Sequence, residues 1–311
     1  MTHVPVLTAE LLEHFKPTPD DTLLDATLGL GGHAESYLIA SAPAGRVVGL
    51  DADEQSLTLA RQRLEKFGER VTFIHANFAT LKDSVNGGGI LDSPPYTHIL
   101  FDLGIGSHQI ADDDRGFSFR GVGPLTMRYG QPPQVAAQLQ PLNWLEKKDG
   151  ALPDATDIIA GLSIDDLTDL IRTYGEERLA GRIARALKKS PLPITAAQAA
   201  ERISGAVPRR YEHGRIHPAT RTFQALRLAV NRELEALEAA LPQAVQLLHP
   251  GGQVAVISFH SLEDRIVKNF FRADPDLRAI NKKPIVAGRT EREKNPRARS
   301  AKLRIAAKAG P

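Results

Sequence analysis

Three aspartates of this chain stand where a cationic ligand can bind. Asp25, Asp51 and Asp102 each lie at or near the end of a short apolar run of the kind that forms a buried strand. The carboxyl ends of neighbouring parallel strands meet at one edge of a sheet, where ligands of such folds bind. We therefore expect these three carboxylates to line one crevice.

A glycine-rich turn, Gly29-Leu-Gly31-Gly32-His33, joins the first predicted strand to the first predicted helix. Its glycines let the backbone approach a ligand closely. The turn also satisfies the dinucleotide pattern G-x-G-x-x-A, with Asp51 twenty positions beyond Gly31 to accept ribose hydroxyls. Two cofactors therefore compete, NAD and S-adenosylmethionine. The additional carboxylates of Asp25 and Asp102 favour the sulfonium of S-adenosylmethionine.

Alternating strands and helices position these residues. Apolar runs predict parallel strands at 22–29, 46–51, 71–76 and 97–102, and helix-like stretches separate them at about 32–42, 54–67 and 78–85. This order predicts an α/β fold with a doubly wound sheet.

The alternation stops after Asp102 and resumes near residue 219. Between them, helical patterns appear at 165–174, 176–189 and 195–206, which indicates a helical insert. The later pattern predicts a helix at 219–248, a strand at 253–259, a helix at 261–271, a loop at 281–300 and a strand at 301–306. We expect a sheet domain in two parts, 1–109 and 218–311, around an insert at 110–217.

The sequence Ser93-Pro94-Pro95-Tyr96 matches the [DNS]-P-P-[YFW] motif of DNA amino-methylating enzymes. That motif follows the fourth strand, whereas Ser93–Tyr96 precede it and fall at the opposite edge of the sheet. We interpret them as a proline-rich turn. The functional position belongs to Asp102–Gln109, whose small residues leave room for a target base.

Several segments resemble one family in order along nearly the whole chain. They are Asp25–His33, Phe101–Gln109, Arg115–Phe119, Gly123–Leu125, Tyr174–Glu177, His217–Gln224, Ile257–Arg265 and Asn295–Ser300. The chain resembles the bacterial 16S ribosomal RNA cytosine-N4 methyltransferases (the RsmH or MraW family). The resemblance implies a class I S-adenosylmethionine-dependent methyltransferase, with a Rossmann-like doubly wound sheet and an inserted helical substrate domain. It also implies a cytidine in the decoding region of 16S ribosomal RNA, within the small ribosomal subunit, as the target.

The resemblance assigns cofactor contacts to Gly31, Gly32, His33, Asp51, Phe78, Asp102 and Gln109. It implies no metal. The chain departs from the family pattern at Gly106, His108 and Thr126, where the family usually has serine, proline and aspartate.

Methyl transfer from a sulfonium to an amine depends mainly on alignment of the reacting atoms. Asp102, or the backbone at Leu103–Gly104, is placed to accept a hydrogen bond from the cytosine amine. His260 is a second catalytic candidate, and its alternative role is to organise the start of the helix at 261. Phe259, Phe117 and Phe119 are candidate stacking surfaces for which buried packing is the favoured interpretation.

The formal net charge of +2 is the sum of an acidic first part of the chain and a basic second part. Residues 1–102 hold 7 Lys/Arg against 14 Asp/Glu, and residues 103–311 hold 32 against 23. Segments 172–217 and 281–304 are the most basic, and we expect them to contact phosphate. The candidate RNA contacts are Arg221, Arg227, Arg265, Lys268, Arg297 and Arg299.

The chain of 311 residues has no cysteine, which excludes disulfides, thiolate catalysis and zinc-thiolate sites. It has no apolar run of membrane-spanning length and no signal-like start, so we expect a cytoplasmic enzyme that contacts no membrane. Two further functions stay open: an NAD-dependent oxidoreductase, and a catalytically idle RNA-binding or ribosome-assembly module.

Overall fold

A computed structural model describes residues 4–86, 96–130, 153–189, 191–192, 194–211 and 216–310. The chain divides into two compact units. Unit 1 comprises Met1–Gly104 and Leu234–Pro311, and unit 2 comprises Ile105–Glu233. The sequence placed the corresponding divisions after residues 109 and 217.

Unit 1 is built on an eight-stranded sheet. Its strands are β1 (Thr22–Asp25), β2 (Arg46–Asp51), β3 (Val71–His75), β4 (Tyr96–Asp102), β5 (Leu248–Ser258), β6 (Leu277–Ala279), β7 (Ile285–Val286) and β8 (Lys302–Lys308). The order across the sheet is β3-β2-β1-β4-β5-β8-β6, and β7 also pairs with β8. Strands β1 to β5 run parallel, and β8 is antiparallel to its neighbours.

The described residues form thirteen α-helices. Helices α5 to α10 belong to unit 2, which ends at Glu233, the first residue of α11. The remaining helices belong to unit 1. The thirteen helices are α1 (Thr8–Phe15), α2 (Gly32–Ala40), α3 (Glu54–Leu64), α4 (Leu81–Asn86), α5 (Ser107–Ala111), α6 (Ala155–Gly161), α7 (Ile164–Gly175), α8 (Ala180–Leu187), α9 (Ala196–Ala206), α10 (Thr220–Asn231), α11 (Glu233–Leu247), α12 (Ser261–Ala273) and α13 (Arg289–Lys294). None of these helices has the length and apolar character needed to cross a membrane.

Helices cover both faces of the sheet because successive side chains of each strand point to opposite faces. Leu23 packs in a core with residues of α1, α2 and α3, whereas its neighbour Leu24 packs in a second core with residues of α4, α11 and α12. A strand buried on both faces must be apolar throughout, as the sequence of β1 to β5 indicated. The expected doubly wound α/β sheet is confirmed.

Unit 2 has a hydrophobic core of its own. It gathers apolar residues from α6 to α10, among them Ile158, Ile171, Ile183 and Leu226, each at most 2% exposed. The described residues of this unit form no strand, and an isolated bridge between Pro124 and Thr195 is its only β pairing within them.

Two predicted elements differ in the structure. The single helix predicted at 219–248 is broken at Arg232, which takes the left-handed conformation (φ 49°) between α10 and α11. The predicted loop at 281–300 contains β7 and α13. In the proline-rich turn, Tyr96 begins β4 and is buried, and residues 93–95 lie outside the described residues.

Candidate active site

Three carboxylates meet at one edge of the sheet. Strand β1 lies between β2 and β4, so Asp25, Asp51 and Asp102 end three adjacent parallel strands. Asp25 is 1% exposed, and the other two are partly buried. The sheet topology thus brings together the three acids that the sequence singled out.

The glycine-rich turn is tied to this edge by hydrogen bonds. The Gly29 amide donates to Asp51 Oδ2 at 2.7 Å, and the Thr27 amide donates to Asp25 Oδ1 at 3.2 Å. Gly31 lies just before α2 with φ 74°, and a Cβ there would approach Leu64 Cδ1 to 2.9 Å. The left-handed backbone at Gly31 therefore favours glycine, and α2 begins at the next residue.

The His33 ring, in the first turn of α2, faces Asp102. His33 is 6% exposed, and its Nε2 lies 3.4 Å from Asp102 Oδ2. Within the described part of the chain, both His33 ring nitrogens and Asp102 Oδ1 are buried without a hydrogen-bond partner. Burial disfavours the charged ring, but Asp102, followed by Asp25 and Glu291, raises the pKa of His33 above its ordinary value.

The carboxyl group of Asp25 is difficult to ionise. Burial is the main cause and raises its pKa to about 7, the charges of Asp102 and Asp51 act in the same direction, and the charge of His33 opposes them. A ligand with positive charge at this edge compensates the buried carboxylates.

These groups fit the methionine end of S-adenosylmethionine. Its sulfonium and ammonium are cations that three carboxylates attract, and its carboxylate is an acceptor for the His33 ring. Buried polar atoms without partners are costly unless a ligand or water satisfies them. The buried nitrogens of His33 are such atoms.

The other expected cofactor residues have different surroundings. Gly32 opens α2, and Phe78 begins a short 3-10 turn after β3, with its half-buried ring edge-on to Phe101 at 5.8 Å. Gln109 belongs to unit 2, where its Oε1 accepts a hydrogen bond from the Gly106 amide and caps α5.

His260 is part of a helix cap. Its Nδ1 accepts a hydrogen bond from the Glu263 amide at 3.3 Å, and its Nε2 lies 3.0 Å from Glu263 Oε1. Glu263 is 2% exposed, and its Oε2 accepts hydrogen bonds from the amides of Phe259 and His260. His260 Nδ1 is thus engaged at the start of α12, whereas Nε2 is buried without a hydrogen-bond partner among the described residues. The cap favours the organising role over the catalytic one.

The candidate RNA contacts are not equally accessible. Arg265 and Arg299 are exposed, whereas Lys268 and Arg221 are partly buried. The Arg227 side chain is 13% exposed and forms an ion pair with Glu233 through two hydrogen bonds of 2.8 and 3.0 Å. Arg227 is therefore engaged within unit 2.

The segment after β7 contributes two charges to this site that sequence reasoning did not place there. Glu291 Oε1 accepts a hydrogen bond from the Leu7 amide at 2.8 Å, and its charge acts on His33. Burial lowers the pKa of Arg297, and the charge of Asp102 partly offsets this effect. Arg297 was expected only as an RNA contact, and no local pattern in this basic segment signals that its charge acts on Asp102.

The family departures are locally compensated. A Cβ on Gly106 would lie 2.6 Å from the His108 ring, so glycine at 106 accommodates histidine at 108. The Thr126 hydroxyl donates to the Arg115 carbonyl at 3.0 Å. The Gly106 amide and the Thr126 hydroxyl are both hydrogen-bonded within unit 2.

Comparison with known proteins gives consistent matches over the full length. A family model described as "MraW methylase family" matches residues 1–309. The protein named ribosomal RNA small subunit methyltransferase H from Synechococcus sp. (strain RCC307) is 46% identical over 98% of this chain and 94% of its own length. The protein of the same name from Trichlorobacter lovleyi is 41% identical over 99% and 98%.

Among solved structures, an rRNA methylase from Streptococcus thermophilus aligns over 99% of both chains, with 12% identity and a TM-score of 0.41. A likeness this distant carries no functional argument.

Proposed function

Because the chain belongs to the MraW methylase family, we propose that it methylates the exocyclic N4 amine of a cytidine in the decoding region of 16S ribosomal RNA, in the small ribosomal subunit. Family membership confirms the class I methyltransferase fold and the expected dependence on S-adenosylmethionine, and it favours a methylase over the NAD alternative. The names of the relatives support ribosomal RNA as the substrate.

The observation that supports an amine as the target is a hydrogen-bond acceptor on Asp102 that is free in the described part of the chain. Its Oδ1 is buried without a partner among the described residues, at the end of β4. The next residues lead to Gly104, which has φ +100° and lies against the Phe259 ring, so a side chain there would be strained. An unfilled acceptor beside a glycine suits the amine of a planar base.

Bound S-adenosylmethionine supplies a methyl group on a positively charged sulfur. The residues of the chain bind and align the reactants. We assign the sulfonium and ammonium to the carboxylates of Asp25 and Asp102, the ribose hydroxyls to Asp51, and the adenine to Phe78. Alignment of this kind contributes roughly 7–11 kcal/mol to the barrier reduction.

Asp102 has a second role at the amine. The nitrogen lone pair of cytosine is delocalised into the ring, which makes the amine a poor nucleophile. A carboxylate that accepts one N–H bond makes the nitrogen more nucleophilic and then takes up the proton that is lost. His33, 3.4 Å away, orients the carboxylate.

The test is transfer of a tritiated methyl group to small subunits from a strain that lacks the enzyme, followed by nucleoside analysis of the labelled RNA. We expect label in N4-methylcytidine of the decoding region. Label in another nucleoside would overturn the N4 assignment. No label on any RNA would favour the idle RNA-binding module.

A variant series tests the residue. Asp102→Asn keeps the shape and loses the charge, and we expect at least about a 100-fold lower rate, with Asp102→Ala inactive. Asp83→Asn, at an exposed aspartate of α4, is the matched control and keeps wild-type turnover. Near-normal turnover of Asp102→Ala would show that the amine acceptor lies elsewhere.

A further inference from the structure

A pair of stacked rings lies on unit 2, and neither ring belongs to a residue of the site described above. The rings of Phe119 and His217 are nearly parallel, with centroids 4.5 Å apart and planes at 13°. Behind them, Phe223 of α10 meets Phe119 edge-on at 4.9 Å and is 5% exposed. Phe119 is partly buried and His217 is exposed, so the histidine ring is the outermost layer of this aromatic stack.

The backbone fixes the orientation of the His217 ring. Its Nδ1 accepts a hydrogen bond from the Ala219 amide at 3.2 Å, and its carbonyl accepts one from the Thr220 amide at 3.0 Å, where α10 begins. Pro218 restricts the chain between them. A ring that is already held in place loses little conformational entropy when a partner stacks on it.

Two arginines adjoin this stack in sequence. Arg120 follows Phe119 directly and is exposed, and Arg221 lies in the first turn of α10, four residues after His217. A flat ring with guanidinium groups close by along the chain is a combination that recognises single-stranded nucleic acid, where bases stack on aromatic side chains and cations meet the phosphates.

Burial alone does not explain this arrangement. Packing in the unit 2 core accounts for Phe223 and for one side of Phe119. It does not account for a second ring laid flat over Phe119 at an exposed position, because an exposed ring gains little from burial.

We propose that the His217 ring is a platform on which an unpaired base of the RNA substrate stacks, with Arg120 and Arg221 contacting the adjoining phosphates. The inference rests on the proposed function and deepens it, because it names the residue that holds the RNA. His217 acts in binding and does not touch the methyl group.

Three substitutions at His217 separate stacking from a structural role. His217→Phe keeps the ring and loses the Nδ1 acceptor, His217→Asn keeps an acceptor and loses the ring, and His217→Ala loses both. Stacking on one aromatic residue is worth about a tenfold or larger change in affinity. We expect the dissociation constant for small subunits to rise about tenfold for the Asn and Ala variants and to stay within about twofold for Phe.

The opposite pattern, in which Asn binds normally and Phe does not, would show that His217 only fixes the backbone before α10. Equal affinity of all three variants and the wild type would also overturn the platform. The matched control is His249→Ala, an exposed histidine of β5 in unit 1, which keeps wild-type affinity. Affinity for S-adenosylmethionine, measured by calorimetry, stays unchanged in every His217 variant because no cofactor contact is altered.

Salt dependence separates the ring from the arginines. We expect Arg221→Gln to reduce the slope of log affinity against log salt by about one, and His217→Ala to leave the slope unchanged. Failure of the proposed function can be distinguished from failure of the His217 platform, because RNA binding is measured without methyl transfer. If wild-type protein binds small subunits but transfers no methyl group, the proposed function fails while the His217 series still decides the platform.

Discussion

At the scale of single residues, Asp25 shows a conflict between stability and cofactor binding. Its carboxyl is 1% exposed and has a pKa of about 7 in the folded protein, against about 3.9 when unfolded. A raised acid pKa means that the folded state binds the proton more tightly than the unfolded state. Stability is therefore full below about pH 4 and falls as the pH rises through 7, by up to about 4 kcal/mol.

Asp25→Asn removes this titration. Without cofactor, we expect the variant to be more stable than the wild type at pH 8 and equally stable near pH 4, as measured by urea unfolding. We expect its affinity for S-adenosylmethionine at pH 8 to fall at least about tenfold, because one compensating negative charge is lost. Asp83→Asn, at an exposed site, provides the control. A variant less stable than the wild type at pH 8 would contradict this account.

The sequence predicts which residues lie together in the site only when they are close along the chain or when the sheet topology aligns them. Asp25, Asp51 and Asp102 were placed correctly relative to one another because parallel strands align their carboxyl ends. Glu291 and Arg297 reach the same edge from a distant segment, which no local pattern reveals. The proposed role of His217 likewise depends on its stacking against Phe119, which lies about a hundred positions earlier in the sequence.

At the scale of elements, His98 of β4 joins two helices to the sheet. Its ring lies 4.4 Å from the Phe15 ring of α1, and its Nδ1 lies 2.8 Å from the Tyr37 hydroxyl of α2. Burial lowers the pKa of His98 to about 4, against the opposing charge of Asp21. The neutral ring is therefore part of the contact between these helices and β4.

This contact predicts sensitivity to acid. The unfolded state, with an ordinary histidine pKa near 6.5, takes up the proton before the folded state does, so the contribution of His98 is present above about pH 6.5 and is lost towards pH 4. We expect a loss of about 3 kcal/mol over that range, measured as the difference between wild type and His98→Gln in urea unfolding. His75→Gln, at an exposed histidine of β3, keeps the wild-type profile. If His98→Gln kept the wild-type profile as well, the contact would not titrate.

The helices also show where sequence patterns stop being informative. The hydrophobic spacing across 219–248 is continuous, and the break falls at Arg232, a residue type that gives no signal for a left-handed conformation. In the same unit, Lys188 Nζ donates to the carbonyls of Ile159, Ala160 and Leu162 at 2.6–3.0 Å and caps α6. A charge count cannot distinguish such a capping lysine from one that meets phosphate.

At the scale of the whole molecule, the basic residues are still concentrated in the second part of the chain, but fewer of them can contact phosphate than their number suggests. The basic segments 172–217 and 281–304 include Lys188, which caps α6, and Arg304, which is 7% exposed and pairs with Asp264 at 2.7 Å. The surface available to phosphate is therefore smaller than the count of basic residues indicates. Exposed residues of these segments, such as Arg210 and Arg299, remain available to phosphate, and Arg265 of α12 is a further exposed arginine.

This charge distribution predicts a salt-dependent encounter with RNA. Each phosphate neutralised releases counterions, so the affinity for small subunits falls steeply with salt, with a log–log slope of about −0.7 to −0.9 for each contact. We expect Arg265→Gln and Arg299→Gln each to reduce the slope by about one contact. Lys188→Met lowers thermal stability through the lost cap and leaves the slope unchanged, because its ammonium is engaged with carbonyls. A flat salt dependence of the wild type, or a slope that responds to Lys188 and not to Arg299, would show that these basic segments do not form the RNA surface.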